Sequence, residues 1–229
     1  MTKDLYKYNV SVMCPTRKRV EGCISSCDGL LEHAHTPDLV EILLIFDEDD
    51  TDSYDKIKEY YKDKENVKLF ISERYGYKYL HKYYNFLAKE ADGKWLFVWN
   101  DDAVIGTSNW DLIPVSYGNE FRLISCAEDR NGESLFPLFP KKWADLAGRV
   151  SNNCSTDSWV EFIARDLGIF VKDFRLHINH LQGTPQFNDE TVSERVYDRE
   201  RFHSQEQRQE RYVDLQKIKE YLDGSKKRE

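Results

Sequence analysis

The sequence has no long apolar run. Its most apolar stretch, Val40 to Phe46, contains Glu41 and falls far short of the roughly 20 residues that a membrane-spanning helix needs. The start, MTKDLYKYNVSVM, lacks the basic-then-apolar pattern of a secretory signal. Positive charge is in deficit: 33 Lys+Arg against 41 Asp+Glu gives a net charge of −8. That balance excludes nucleic acid as an expected partner, because phosphate-backbone affinity needs a concentrated cationic face. Cysteine is scarce and unpaired, with five residues (Cys14, Cys23, Cys27, Cys126, Cys154) and no CxxC motif. A zinc ribbon or disulfide framework is therefore disfavoured, and reduced thiols in a cytoplasmic protein are the expectation. No GxxxxGK[ST] loop occurs, since Gly93 and Lys94 are followed by Trp95, and no GxGxxG follows the first apolar run. P-loop NTPases and Rossmann dehydrogenases are thereby set aside.

What is present is enough apolar surface for a real core. Hydrophobic residues make up 40% of the 229 and aromatics 14%. Short β-type runs alternate with helical stretches through the first two-thirds of the chain, the pattern of an α/β fold around a mostly parallel sheet. The expected strands are Val10 to Cys14, Glu41 to Phe46, Val67 to Ile71, Trp95 to Trp99 and Phe121 to Cys126. Tyr77 to Ala91 reads as a helix with Tyr77, Leu80, Tyr84, Leu87 and Ala91 on one face. Trp159 to Leu167 reads as another, bearing Trp159, Phe162, Ile163 and Leu167 on one face and opened by a Ser158–Glu161 capping box. After about residue 190 the chain turns charged, and Leu215, Ile218 and Leu222 form a thin apolar stripe. Residues 1–190 are thus expected as one domain and 191–229 as a charged C-terminal helix packed on it, frayed over the final GSKKRE.

The acidic excess is concentrated. Asp47, Glu48, Asp49, Asp50, Asp52 and Asp55 follow the apolar run EILLIF, and Asp101 and Asp102 follow WLFVWN. Ligands of open parallel sheets bind beyond the carboxyl ends of the strands, so both groups are expected to face one crevice. A calcium loop is excluded for the first cluster: with Asp47 as position one, the required Gly is Asp52 and the required Glu is Lys58. Asp52 and Ser53 are also ordinary N-cap residues for a helix starting near Tyr54. Paired carboxylates at the end of so apolar a strand repel each other unless a cation offsets them. Mn²⁺ or Mg²⁺, shared with a diphosphate, supplies such a cation.

VSVMCPTRKR, EILLIFDEDDTD and GKWLFVWNDDAVI, in that order, resemble family 2 glycosyltransferases of the GT-A fold. In that family the first strand runs into Pro-Thr-Arg-Asn-Arg and the second into Asp-Asp-Gly-Ser-Thr-Asp. GYKYLHKYYNFLAKEADGKW, LFPLFPKKWADLAG and STDSWVEFIARDLGI extend the resemblance over roughly residues 8–190. It implies a GT-A (nucleotide-diphospho-sugar transferase, Rossmann-like) fold. The implied activity is a metal-dependent, inverting transfer of a sugar from a nucleotide-diphosphate sugar, a UDP-sugar favoured, to a carbohydrate or other hydroxyl acceptor.

By the same resemblance, Thr16 and Arg17 would contact the nucleoside and its phosphates. Asp47, with Glu48 beside it, would accept hydrogen bonds from base or ribose. Asp102 would ligate Mn²⁺ (or Mg²⁺) and Asp101 would lie on the ribose side. Asp157 would be the general base, and one of His177 and His180, preferably His180, a further metal ligand. Trp110, Trp143 and Trp159 are candidates to stack on a sugar acceptor. The family's Gly-Ser-Thr is replaced by Asp49, Asp50 and Thr51, and the Gln-x-x-Arg-Trp of processive synthases is absent, which implies a non-processive enzyme. Two alternatives stay open: a sugar-phosphate nucleotidylyltransferase, whose Gly-rich basic loop is missing from CPTRKRVEGC, and a catalytically inactive GT-A-like carbohydrate-binding module.

Overall fold

The computed structural model describes residues 6–126, 136–181 and 201–226. In chain order the elements are β1 (Tyr8–Pro15), α1 (Val20–Glu32), β2 (Val40–Asp47), α2 (Thr51–Tyr60), β3 (Val67–Ser72), α3 (Leu80–Glu90), β4 (Gly93–Val98), β5 (Ala103–Ile105) and α4 (Leu112–Ser116). There follow β6 (Leu123–Ser125), β7 (Leu138–Pro140), α5 (Lys141–Ala147), α6 (Thr156–Asp166), β8 (Phe170–Lys172), β9 (Ile178–His180) and α7 (Gln205–Lys226).

Seven strands form one twisted sheet in the order β3-β2-β1-β4-β7-β6-β8. The β3-β2-β1-β4 half is wholly parallel, with β1 central between β2 and β4. Period-two alternation sends successive side chains to opposite faces. Val10, Val12, Ile42, Leu44 and Phe46 therefore share one core with Cys23, Cys27 and Leu30 of α1 and Ile57 of α2. Met13, Leu43, Ile45, Leu96 and Val98 share the other with α3, α5 and α6. Every residue of β2 is buried, as a strand covered on both faces must be, and each Ile or Leu so enclosed stabilises the fold by about 2 kcal/mol. Buried positions 23, 26, 27 and 30 make the α1 stripe at helical spacing. At the amino edge, β4 approaches β1 so closely that a Cβ on Gly93 would lie 2.5 Å from the Ser11 backbone nitrogen, so only glycine fits.

Several expectations need correction. The fifth strand is Leu123–Ser125 only, and two antiparallel elements were not anticipated. β7 inserts between β4 and β6, and β5 pairs with β9 in a separate ribbon; three-residue strands are too short to show a period. The third helix starts at Leu80, because Gly76 at φ 69° turns the chain into a single 3₁₀ turn, Tyr77–Tyr79. No capping box opens α6: it begins at Thr156 behind Ser155, placing Ser158 inside the first turn, while Glu161 pairs with Arg165 instead. Phe162 lies 44% exposed, off the buried stripe of Trp159, Val160, Ile163 and Ala164. Likewise α2 starts at Thr51, so Asp52 and Ser53 lie within it and Asp50 precedes it.

The C-terminal helix α7 lies against α5 and α6. Arg149 binds Asp214 (2.9 Å) and Glu210 (2.6 Å), Lys217 donates to the Ala147 carbonyl, and Ile218 is fully buried. It continues to Lys226, through part of the segment expected to fray. The boundary expected near residue 190 lies outside the described residues. Among those residues no helix is long and apolar enough to cross a membrane.

Candidate active site

Four consecutive residues after β1, Thr16 to Arg19, connect the two acidic strand ends. Thr16 is fixed by its backbone N–H on the Ile45 carbonyl, and its hydroxyl donates to Asp101 Oδ2 at 2.8 Å. Lys18 adopts φ 55°, and its N–H donates to Asp50 Oδ2 at 2.7 Å. That turn splits the flanking guanidiniums. Arg17 Nη1 donates to Asp47 Oδ2 (2.9 Å) and Nη2 to Asp49 Oδ2 (2.9 Å), while Arg19 Nη1 donates to Asp101 Oδ1 (2.7 Å) and lies 3.7 Å from Asp102 Oδ2.

Asp47 ends β2 and is buried; its second oxygen accepts a hydrogen bond from the Tyr83 hydroxyl. Burial and that carboxylate raise the Tyr83 pKa, so the phenol remains a donor. The Tyr83 oxygen itself accepts from the backbone N–H of Tyr75 (2.8 Å) and Gly76 (3.3 Å), tying the segment after β3 to the end of β2. Glu48 is anchored through its backbone N–H to the Ser72 carbonyl, and its side chain is exposed. Asp49 is exposed, and its pKa is lowered chiefly by the hydrogen bond from Arg17.

Asp101 and Asp102 are each 6% exposed, in the turn beyond β4. Burial pushes Asp101 up to about 7, against the opposing pull of Arg19 and the Thr16 hydroxyl and with smaller upward contributions from Cys23 and Asp102. The antiparallel register of β5 on β9 sets Ala103 opposite His180. The imidazole is thereby carried to Asp102, where Nε2 lies 3.0 Å from Oδ1. His177 falls just outside the strand and is exposed, so of the two histidines only His180 reaches the carboxylates.

Asp157 sits in the first turn of α6, with Oδ1 accepting the Ser158 N–H at 2.8 Å. Burial raises the Tyr84 pKa most, and the charges of Cys14, Asp157, Tyr77 and Asp101 add to it. The Tyr84 hydroxyl in turn contacts the Trp99 carbonyl (2.9 Å) and Asn100 Oδ1 (3.0 Å), immediately before the paired acids.

The donor set suits a hard divalent ion. Two donor atoms 3.0 Å apart match the roughly 3 Å edge of an octahedron with bonds of about 2.1 Å. Carboxylate plus imidazole is chemistry that Mn²⁺ accepts. Among the described residues no three His, Cys, Asp or Glu side chains converge on a common point. Protein donors alone do not complete a coordination shell there, and oxygen atoms of a ligand would be needed. A depression of about 420 Å³ between the starts of α1 and α2, lined by Lys18, Glu21, Asp49 to Ser53 and Lys56, contains neither Asp101 nor Asp102.

Trp110, Trp143 and Trp159 are fully buried, so the expectation that they stack on an acceptor is wrong. Trp110 donates to the Leu30 carbonyl, Trp159 to Asp214, and Trp143 stacks on Phe121. Their size is spent on the core. Sequence reasoning also passed over Arg19 and Tyr83. For Arg19 the signal was available, since it is the final arginine of the Pro-Thr-Arg-x-Arg run; Tyr83 has no local signature.

No protein-family model and no curated protein matches this sequence. Solved structures do match in fold. A mannosyltransferase from Pyrobaculum calidifontis, in complex with GDP-Man and Mn²⁺, superimposes with TM-score 0.65 at 12% identity, over 79% of this chain and 59% of that one. TarS from S. aureus matches with TM-score 0.60 at 14% identity, over 90% of this chain and 42% of that one. Its 1–349 fragment with UDP-GlcNAc gives 0.57 at 13%, over 92% and 71%. The chain thus has the GT-A fold of these glycosyltransferases, and it spans about three-fifths of the mannosyltransferase and two-fifths of full TarS.

Proposed function

We propose that this protein is a metal-dependent, inverting glycosyltransferase that moves a sugar from a nucleotide-diphosphate sugar to a hydroxyl acceptor. The observation that carries this reading is the Asp102–His180 pair beside the Thr16–Asp101–Arg19 cluster, at the carboxyl ends of parallel strands. The neighbours' donors, GDP-Man in one and UDP-GlcNAc in the other, agree with it.

Asp102 and His180 would hold Mn²⁺ or Mg²⁺. Once bound, that ion neutralises the diphosphate leaving group. Thr16 and Arg17 would face the nucleoside and phosphates, Asp47 and Glu48 the base or ribose, and Asp101 the ribose side. Arg17 suits that task because a guanidinium pairs with phosphate through two parallel hydrogen bonds. Asp157 would take the proton from the acceptor hydroxyl as its oxygen attacks the anomeric carbon and the nucleotide diphosphate leaves from the opposite face. A carboxylate suits this role only if it stays ionised in the complex. Asp157 stands in the first turn of α6, at the helix amino terminus.

The test is donor binding by calorimetry with a panel of nucleotide sugars and Mn²⁺, followed by release of nucleotide diphosphate. Asp102→Ala is expected to abolish Mn²⁺-dependent donor binding. Asp157→Asn is expected to keep donor affinity and to lose transfer by about 10²-fold or more. Donor affinity indifferent to both chelation and Asp102→Ala would sink the metal site, and full turnover by Asp157→Asn would remove that residue from the mechanism.

A further inference from the structure

Arg19 sits where a helix least wants it. It is the residue immediately before α1, at φ −126° and ψ 51°, and its side chain makes no capping bond to the helix. The positive end of the α1 dipole repels a guanidinium there, and Ser, Thr, Asp or Asn would cap better. The acidic turn beyond β4 engages it, with Asp101 at 2.7 Å and Asp102 at 3.7 Å. The Lys18 turn, pinned at φ 55° by Asp50, aims it there and away from the Asp47–Asp49 group that engages Arg17. Arg19 is mostly buried, and so are both carboxylates.

Charge counting gives the pose a consequence. With both carboxylates ionised, they and one guanidinium sum to −1; adding a divalent ion while Arg19 stays in place leaves the cluster at +1. Such a cluster calls for a further anion, and a nucleotide diphosphate is one.

Resting on the glycosyltransferase reading above, we infer that Arg19 is a positioning residue acting as a displaceable counter-ion. It offsets one of the two negative charges of Asp101 and Asp102 when no metal is present, yields Asp102 to the incoming divalent ion, and pairs with the donor's diphosphate instead. Metal and nucleotide binding are thereby coupled: each alone is weak, because metal alone meets the guanidinium and nucleotide alone finds Arg19 engaged. Reciprocity requires both ligands to feel the same coupling factor.

The experiment titrates MnCl₂ into wild type, Arg19→Gln, Arg19→Lys and Asp102→Ala, first alone and then with saturating UDP or GDP, following free Mn²⁺ by electron paramagnetic resonance. Arg19→Gln is expected to bind Mn²⁺ alone about tenfold more tightly than wild type, and to lose about tenfold of the enhancement given by the nucleotide. Arg19→Lys, which keeps the charge but not the fork, is expected to bind Mn²⁺ alone as wild type does and to lose part of the enhancement. A scaffold role predicts the opposite sign, since a disordered acidic turn binds metal worse. Equal or weaker Mn²⁺ binding by Arg19→Gln, or a tightening in Arg19→Lys as large as in Arg19→Gln, overturns the inference. If wild type binds Mn²⁺ through Asp102 and Arg19→Gln is no tighter, only this inference falls. If wild type binds no Mn²⁺ with or without nucleotide, the metal-dependent reading falls and takes this one with it.

Discussion

The two edges of the sheet both bury carboxylates, and they satisfy them differently. At the amino edge Glu41 is wholly inaccessible, held by the Ser11 hydroxyl, the Asp92 N–H at 3.0 Å and the Lys68 ammonium at 2.6 Å. Its partners sit on or beside neighbouring strands in fixed register, Ser11 directly opposite Glu41 and Lys68 opposite Leu43. At the carboxyl edge Asp101 and Asp102 lean on a turn and on the side chains of Arg19 and His180. The first arrangement meets one wholly buried carboxylate with two hydrogen-bond donors and an ammonium that it shares with Asp92. The second brings two acids together with one guanidinium and an imidazole, and leaves room for an exchange of cations. A buried charge fully matched by strand neighbours is scaffold; one matched by displaceable side chains is where a ligand can compete.

The sharpest way to break the comparison is to remove one carboxylate from each edge. Glu41→Ala leaves a cavity and takes the acceptor from the Ser11 hydroxyl and the Asp92 N–H, while Lys68 keeps Asp92, so a loss of about 2–4 kcal/mol in unfolding free energy is expected from urea titration. A loss under about 1 kcal/mol would show that this edge is no more committed than the other. Between the extremes lies Asp173, whose pKa is lowered to about 2, first by the hydrogen bond from Arg175. Its folded value is depressed below the unfolded one, so its stabilisation is present above about pH 4 and is lost as pH falls towards 2. Because Arg175 is more than half exposed, Asp173→Asn should cost only about 1 kcal/mol at pH 7. The difference from wild type should shrink in urea titrations below pH 4, and a difference constant down to pH 3 would contradict the ion-pair origin. The smallest stability effect is expected from Asp101→Asn. The amide keeps hydrogen-bonding capacity towards Thr16, and burial already disfavours the charge, so the change should stay within about 0.5 kcal/mol at pH 8 while Mn²⁺-dependent donor binding falls. A large loss of stability there would make the carboxyl edge scaffold as well.

The legible parts of the sequence were those with a period or a local grammar. β1 to β4 read from runs such as EILLIF and WLFVW because a strand buried on both faces is continuously apolar. The acidic clusters read as strand-end groups because a parallel sheet puts its ligands there. Three residues in extended chain reverse the face, so one of His177 and His180 was expected to bind, and His180 was preferred because it lies at the loop edge, before Gly183 and Pro185. The three tryptophans misled, since an aromatic side chain looks the same in sequence whether it stacks on a sugar or fills a core. Helix starts at Thr51 and Thr156 were missed because several Ser, Thr and Asp residues compete for the cap, and tertiary contacts choose among them. Arg19 was marked by its place in the run PTRKR, but its pairing with Asp101, 82 positions away, was not legible.

By itself the sequence determined the layered α/β architecture, the two acidic strand ends and the residue types available for metal and phosphate, all of which follow from hydrophobic periodicity and local composition. Only the tertiary structure decided which of two arginines faces which acid, that His180 reaches Asp102 through the β5–β9 register, and that Trp110, Trp143 and Trp159 are core. Those are pairings between residues far apart in the chain. They depend on strand register and on a left-handed turn at Lys18, quantities fixed by packing the whole molecule and not by any short stretch of it.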